Sequence, residues 1–282
     1  MADPKFDTAA RFYDIQVATS PGDVGKPSED WVYADEQIAV VLDGATARTD
    51  TGCVHGVHWY AEHLGKAIVE CAGEFEGLPL SGALRMAILT VALEHRNCDL
   101  DHPGTPSAGV AILRPSGDYL VLGDVTIVND SAYELNIVVD PRVEQTAKAE
   151  REEVDRHLIG TAEKAQALIP MKRAELAARN KDGGYWIAAA EPAAARHALT
   201  GRIDAIGRVA ILTDGAARAA TLGLMSWRDL LARSVDQGGP RALIEAVRAA
   251  EAGDPKGARW PRNKASDDAT VFSAWLAPPH LR

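Results

Sequence analysis

Residues 28–44 read SEDWVYADEQIAVVLDG. Trp31-Val32-Tyr33 and Ile38 to Leu42 carry the apolar and aromatic residues of two β-strands, and Ala34-Asp35-Glu36-Gln37 between them is a turn. A hairpin so connected is antiparallel. With its turn centred near Glu36-Gln37, Asp30 falls opposite Asp43, because paired positions sum to a constant. An error of one residue in the centre moves the partner by about two residues, so the two carboxylates stay within several ångströms. Like charges set directly opposite cost roughly 0.2–1 kcal/mol even when exposed. A positive group should lie between them, and a divalent cation is the simplest one.

The same device recurs. RVAILT runs into Thr213-Asp214-Gly215, and Ser266-Asp267-Asp268 precedes ATVFSAWL. Carboxylates at the ends of apolar runs therefore occur from Glu29 to Asp268. Oxygen-only donors select magnesium, manganese or calcium over zinc or copper. No DxDxDG loop is present. Ligands from separate strands suit a two-metal site that activates a bridging water. Gly44 and Gly215 would let the backbone come close and could offer carbonyl oxygens. An Asp-Gly pair is as often a plain turn, but four acidic motifs sharing a strand-end context are harder to read that way.

Around these motifs the chain reads as strand over 11–18, helices over 54–75 and 80–95, and strands over 108–113 and 119–122 about the turn RPSGD. Residues 126–128 and 135–139 continue the meander. Residues 143–180 are rich in Ala, Glu, Lys and Arg and predict helix interrupted near Pro170. A buried strand over 208–213, helices over 227–235 and 240–251, and a last strand over 269–276 complete the reading. Hairpins dominate, with no regular βαβ alternation. The class is α+β with antiparallel sheets, in one domain spanning 1–282, since the first and last acidic motifs must meet to act together.

The net charge of −10 argues against nonspecific binding to nucleic acid or anionic membranes. Cys53, Cys71 and Cys98 are odd in number and far apart, without a CxxC, which argues for a reducing cytosol and against both a disulfide framework and a thiolate zinc site. The first residues lack a signal-peptide core and no run is long enough to span a membrane, so a cytoplasmic location is expected. His55 and His58 share a helical face, but packing is the default for these and for His63. Ser107 in GTPSAG lacks the glycine spacing of a nucleophile elbow.

Five motifs in order resemble the metal-dependent serine/threonine phosphatases of type 2C, the PPM family: Glu29-Asp30, VVLDG ending at Asp43-Gly44, LGD ending at Gly123-Asp124, ILTDG ending at Asp214-Gly215, and SDDATV from Ser266. The resemblance covers residues from about 10 to 277. It implies a sandwich of two antiparallel β-sheets flanked by helices, with two manganese or magnesium ions at one end and room for a third. It implies that Asp43 bridges the ions beside the Gly44 carbonyl, that Asp214 and Asp267 complete one shell, that Glu29 and Asp30 hold coordinated water, and that Asp124 lies near an additional ion. The activity implied is hydrolysis of a phosphoserine or phosphothreonine monoester on a phosphoprotein. A phosphorylated small molecule is the second substrate class, and a phosphatase-like binding module without turnover is the reading from another class. A monomer is favoured.

Departures from the pattern make this a divergent bacterial-type member. Where many relatives have an arginine four residues before the Glu-Asp pair, Gly25 stands here with Lys26 beside it. Lys26 is therefore the expected phosphate-binding cation, as a point charge and not a fork. Ala45 follows the first Asp-Gly where a histidine is frequent, and Asp268 takes the place of the usual asparagine. The basic loop 256–264 could draw a phosphorylated substrate in, and the helical insert around 143–184 could cover the site.

Overall fold

The computed structural model describes residues 10–46, 50–74, 77–131 and 134–276. The expectations for the first nine residues and for Phe75 lie outside them. Strands β1 (Tyr13–Ser20), β2 (Trp31–Ala34) and β3 (Ala39–Gly44) lead into helices α1 (Gly56–Glu74) and α2 (Leu80–Glu94). Then come β4 (Ala108–Leu113), β5 (Asp118–Leu122), β6 (Thr126–Asp130) and β7 (Leu135–Val138), followed by α3 (Arg142–Gln145), α4 (Lys148–Asp155) and α5 (Ala162–Ala178). A short 3-10 helix (Pro192–His197), β8 (Leu199–Arg202), β9 (Arg208–Leu212), α6 (Asp214–Thr221), α7 (Trp227–Val235), α8 (Gly239–Gly253) and β10 (Ala269–Trp275) finish the chain.

Two five-stranded sheets result, ordered β1-β10-β9-β6-β7 and β2-β3-β4-β5-β8. Every neighbouring pair is antiparallel. Their facing surfaces interdigitate through Val41, Ala111, Val121, Ile127, Ile211 and Phe272. The outer face of the second sheet, with Val40, Leu42, Ile112 and Leu120, takes the stripe Tyr60, Leu64 and Ile68 of α1 and Leu84 and Ile88 of α2. The outer face of the first, with Ala210, Leu212 and Val271, takes α6, α7 and α8. This makes four layers, helix–sheet–sheet–helix. Being central and covered on both faces, β4 is buried at every residue and reads as an unbroken apolar run, not an alternating one.

The 143–180 reading needs one correction. Helix is interrupted at Thr146-Ala147, where Ala147 has φ 54°, and again over 156–161, but not at Pro170, which lies inside α5. Pro170 and Gln166 are both exposed, so the carbonyl that the proline leaves without an N–H faces water. Thr161 caps α5 by accepting from the Lys164 N–H at 3.2 Å. Val154, Ala167 and Met171 form a small core of their own between α4 and α5.

Candidate active site

The hairpin register is Trp31 to Leu42 and Val32 to Val41, so continuing it by one residue sets Asp30 beside Asp43. On the other side of Asp43 the β4 partner is Gly109. A Cβ at Gly109 would stand 3.4 Å from Asp124 Oδ1 and 3.6 Å from the Asp43 Cβ. The absence of a side chain there leaves Asp43 and Asp124 facing each other. Gly123, with φ 88°, makes the turn that delivers Asp124, and its Cα hydrogen side lies against Gly109. Gly123 belongs to the LGD motif already read with Asp124, whereas Gly109 was not singled out by motif reading. Gly109 sits inside a strand-like run, and an isolated glycine there signals a close approach.

The other sheet supplies the rest. β9 ends at Leu212, Thr213 follows it, and α6 begins at Asp214, whose N–H donates to Asp43 Oδ2 at 2.9 Å. The Thr213 hydroxyl donates to Asp30 Oδ2 at 2.9 Å and accepts from the Thr270 N–H at 2.9 Å. Gly215 packs so tightly that a Cβ would lie 2.0 Å from the Asp268 carbonyl oxygen, and one on Gly44 would lie 2.3 Å from that of Glu29. Both glycines are thus required by contact between chain segments. The Asp268 carboxylate accepts from the Gly22 N–H at 2.7 Å and the Glu29 N–H at 2.6 Å, pinning the loop that carries Glu29. The Glu29 side chain accepts from Thr46 Oγ1 at 2.6 Å.

Asp43, Asp214 and Asp267 line one cleft of about 480 Å³, together with Gly44, Arg218 and Lys264. Arg218 lies one helical turn beyond Asp214 and donates to Asp267 Oδ2 at 3.0 Å and to Glu251 Oε1 at 2.5 Å. The Lys264 ammonium pairs with Asp267 and donates to Thr46 Oγ1 at 2.9 Å. Glu29, Asp30 and Asp124 sit behind this surface and do not line the cleft. The electrostatics show one interacting cluster. Burial pushes the Asp43 pKa well above the ordinary carboxylate range, and Asp214, Asp30, Asp124 and Asp267 add to the shift. Burial likewise raises Asp214, with Asp267 and Asp124 adding to it. Burial raises Asp30 to about 7. Asp124 is raised for the same reason, partly offset by Arg151. Burial opposes the Lys264 charge, but Asp267, Asp214 and Asp43 hold its pKa above the ordinary value.

Lys26 lies elsewhere. It is 78% exposed, stands 3.8 Å from Asp23, and does not line the cleft. The cleft cations are Arg218 and Lys264 at the carboxylates, and Lys148, Arg151 and Lys172 on α4 and α5, with Arg262 at the rim. Helices α4 and α5 therefore form one wall of the site. Arg262 of the basic loop is engaged by the Asp254 carboxylate at 3.2 Å and by the carbonyls of Glu251, Asp254, Trp260 and Ala265, so its charge is structural. Ser107 is buried and accepts from Arg179 at 3.2 Å. His58 meets the Ser28 carbonyl at 2.6 Å, whereas His55 faces the other way, toward Cys53 and Cys98.

Residues 22–248 match the family described as Protein phosphatase 2C. Among solved structures, the chain is similar to the PPM Ser-Thr phosphatase MsPP from Mycobacterium smegmatis, in complex with cacodylate. The TM-score is 0.57 at 17% identity, over 95% of this chain and 100% of that one. The Mycobacterium tuberculosis serine/threonine phosphatase PstP/Ppp gives 0.55 at 16% identity, over 95% and 100%. The catalytic domain of PstP in complex with two manganese ions gives 0.53 at 16%, over 94% and 98%. No curated protein matches the chain. At such identities the structural likeness speaks for the fold, a layered sandwich. The family match spans most of the chain and contains four of the five acidic motifs, and the fifth, at Asp267, closes the same cleft. The chain belongs to the protein phosphatase 2C family of metal-dependent serine/threonine phosphatases.

Proposed function

We propose that this phosphatase acts on phosphoserine or phosphothreonine in proteins through a metal centre held by Asp43, the Gly44 carbonyl, Asp214 and Asp267, with Glu29, Asp30 and Asp124 behind them. The observation that carries this reading is the convergence of Asp43, Asp214 and Asp267 from two sheets onto one cleft. The donor set fits manganese or magnesium. It is all oxygen, and its buried carboxylates raise one another's pKa values, the mark of a cluster short of positive charge. Such ions supply Lewis acidity that makes water a nucleophile at neutral pH.

The chain's own groups hold and orient. Asp214 presents its N–H to Asp43, fixing one carboxylate oxygen and leaving the other free. Arg218 and Lys264 hold Asp267, and their charges lie where a phosphoryl oxygen would arrive. Both are committed to Asp267, so neither is a loose phosphate clamp. Lys148 is exposed on the cleft wall and has no carboxylate partner among the described residues, which makes it the better candidate than Lys26 for gripping substrate. We take residues 143–184 as an insert within a single domain that shapes access. No helix among the described residues is long and apolar enough to cross a membrane. The three cysteines are free, in keeping with a reducing cytoplasm.

Asp43→Ala and Asp214→Ala should each abolish manganese-dependent hydrolysis of p-nitrophenyl phosphate. Wild-type rates in folded, metal-loaded variants would overturn the assignment. Phosphopeptides compared with phosphorylated metabolites would decide the substrate class. Manganese binding without turnover of any of them would favour the binding-module reading.

A further inference from the structure

Cys53 and Cys98 are 45 residues apart, yet their sulfurs lie 3.4 Å from each other. The α1–α2 hairpin brings them together: Cys53 stands just before α1, and Cys98 just after α2. His55 Nδ1 is 3.7 Å from Cys53 Sγ and 3.3 Å from Cys98 Sγ. His95 completes the group, and the four ligand atoms all lie within 4.8 Å of one another. Among the described residues this is the one set of three or more such side chains gathered so tightly.

His95 gives a second, independent sign. It is 5% exposed, and neither ring nitrogen has a hydrogen-bond partner. A neutral buried imidazole contains one donor and one acceptor, and leaving both unmet forfeits the hydrogen bonds each would make in water. Folds rarely keep such a side chain without use for it. Its ring is held against His55 (5.2 Å between centroids) and Trp59 (4.8 Å), which fixes its orientation toward the sulfurs.

We infer that Cys53, His55, His95 and Cys98 form a structural zinc site at the open end of the α1–α2 hairpin. Two sulfurs and two imidazoles are a donor set that selects zinc, and a closed set of four protein ligands is the structural and not the catalytic arrangement. Ligand bonds of about 2.3 Å to sulfur and about 2.0 Å to nitrogen, at tetrahedral angles, place neighbouring donors roughly 3.3–3.8 Å apart. The three separations given above, 3.3, 3.4 and 3.7 Å, fall in that range. The His55 N–H also points at Cys53 Sγ at 3.4 Å, a contact that opposes but does not cancel the rise burial gives this thiol. Asp99 N–H donates to the Gly52 carbonyl at 2.8 Å, so the two loops are zipped together beside the cluster. This site is chemically distinct from the acidic cleft, which offers only oxygen. It reverses the expectation that three scattered cysteines exclude thiolate zinc binding.

The test uses the full chain, purified without chelator, with zinc counted by elemental analysis. About one zinc per chain is expected in the wild type and in Asp43→Asn, which disables only the acidic site, and its loss is expected in Cys53→Ser/Cys98→Ser. The zinc-free variant should melt at a lower temperature and still bind manganese. Cobalt provides a readout that does not need the double variant to fold. Cobalt added to the wild type after zinc removal should give a thiolate charge-transfer band, weakened in Cys98→Ser. Two results would overturn the inference: no such band with both thiols intact by mass, or a Cys53–Cys98 disulfide in protein purified under reducing conditions.

Discussion

Replacing Asp30 with asparagine tests whether the carboxylate cluster is held at a cost that cations relieve. Asp30 is 8% exposed, and burial raises its pKa from 3.8 to about 7. The folded chain therefore keeps a proton that the unfolded chain gives up above about pH 4. Stability of the metal-free protein then falls as pH rises through that window, by up to about 1.4 kcal/mol per unit, and levels off above the folded pKa. Asparagine cannot ionise, and its carbonyl oxygen can still accept the Thr213 hydroxyl. The stability of Asp30→Asn relative to wild type should therefore improve by about 2 kcal/mol between roughly pH 5.5 and 7.5, and change little above about pH 8. Urea unfolding in EDTA at fixed ionic strength measures this. Histidines that titrate in the same range cancel in the difference. Saturating manganese should stabilise the wild type more than the variant, because the variant lacks a carboxylate of the proposed metal centre. A stability difference that stays flat or shrinks with pH in EDTA would refute the reasoning.

Lys148→Ala should lower kcat/KM for a phosphopeptide about tenfold or more, the scale of one charge-assisted hydrogen bond, while Lys26→Ala stays within about twofold; steady-state kinetics on both variants compares them. Asp268→Ala leaves the Gly22 and Glu29 N–H groups without their acceptor, and should weaken manganese binding by about 10–100-fold by calorimetry. Asp268→Asn should fall between, because its amide oxygen can serve only one of the two places without a turn of the side chain. Gly215→Ala puts a methyl 2.0 Å from a backbone oxygen, so chemical unfolding should show a loss of about 1–3 kcal/mol or more.

Much of this architecture was legible from local chemistry. The 28–44 hairpin, the all-apolar run at 108–113 and the Asp-Gly strand ends declared both their pairing and their carboxylates, because turn residues and patterning are written over a few positions. β8, with the sequence LTGR, carries no such pattern and is an edge strand defined by its partner β5. α6 was hidden because Asp214-Gly215, a turn signature, here begins a helix. The cations were the weakest part of the reading. Lys26 is close to Glu29 in sequence yet points to solvent, whereas Lys264 and Lys148 reach the cleft from distant segments. Arg218 could have been found, since four residues after Asp214 is one helical turn. The cysteine cluster too had a signal: two consecutive helices joined by a short loop bring the residue before the first next to the residue after the second.

Asp43 rides on one sheet, while Asp214 and Asp267 hang from the ends of β9 and β10 in the other. Among the described residues no backbone ladder joins the two sheets; the width between the layers is set by how Val41, Val121, Ile211 and Phe272 fill it. Coordination tolerates errors of only about 0.2 Å. Trimming a methyl group deep in the sandwich would therefore retune which cation fits, magnesium or the larger manganese, so the hydrophobic filling doubles as the calliper of an ionic site it never touches.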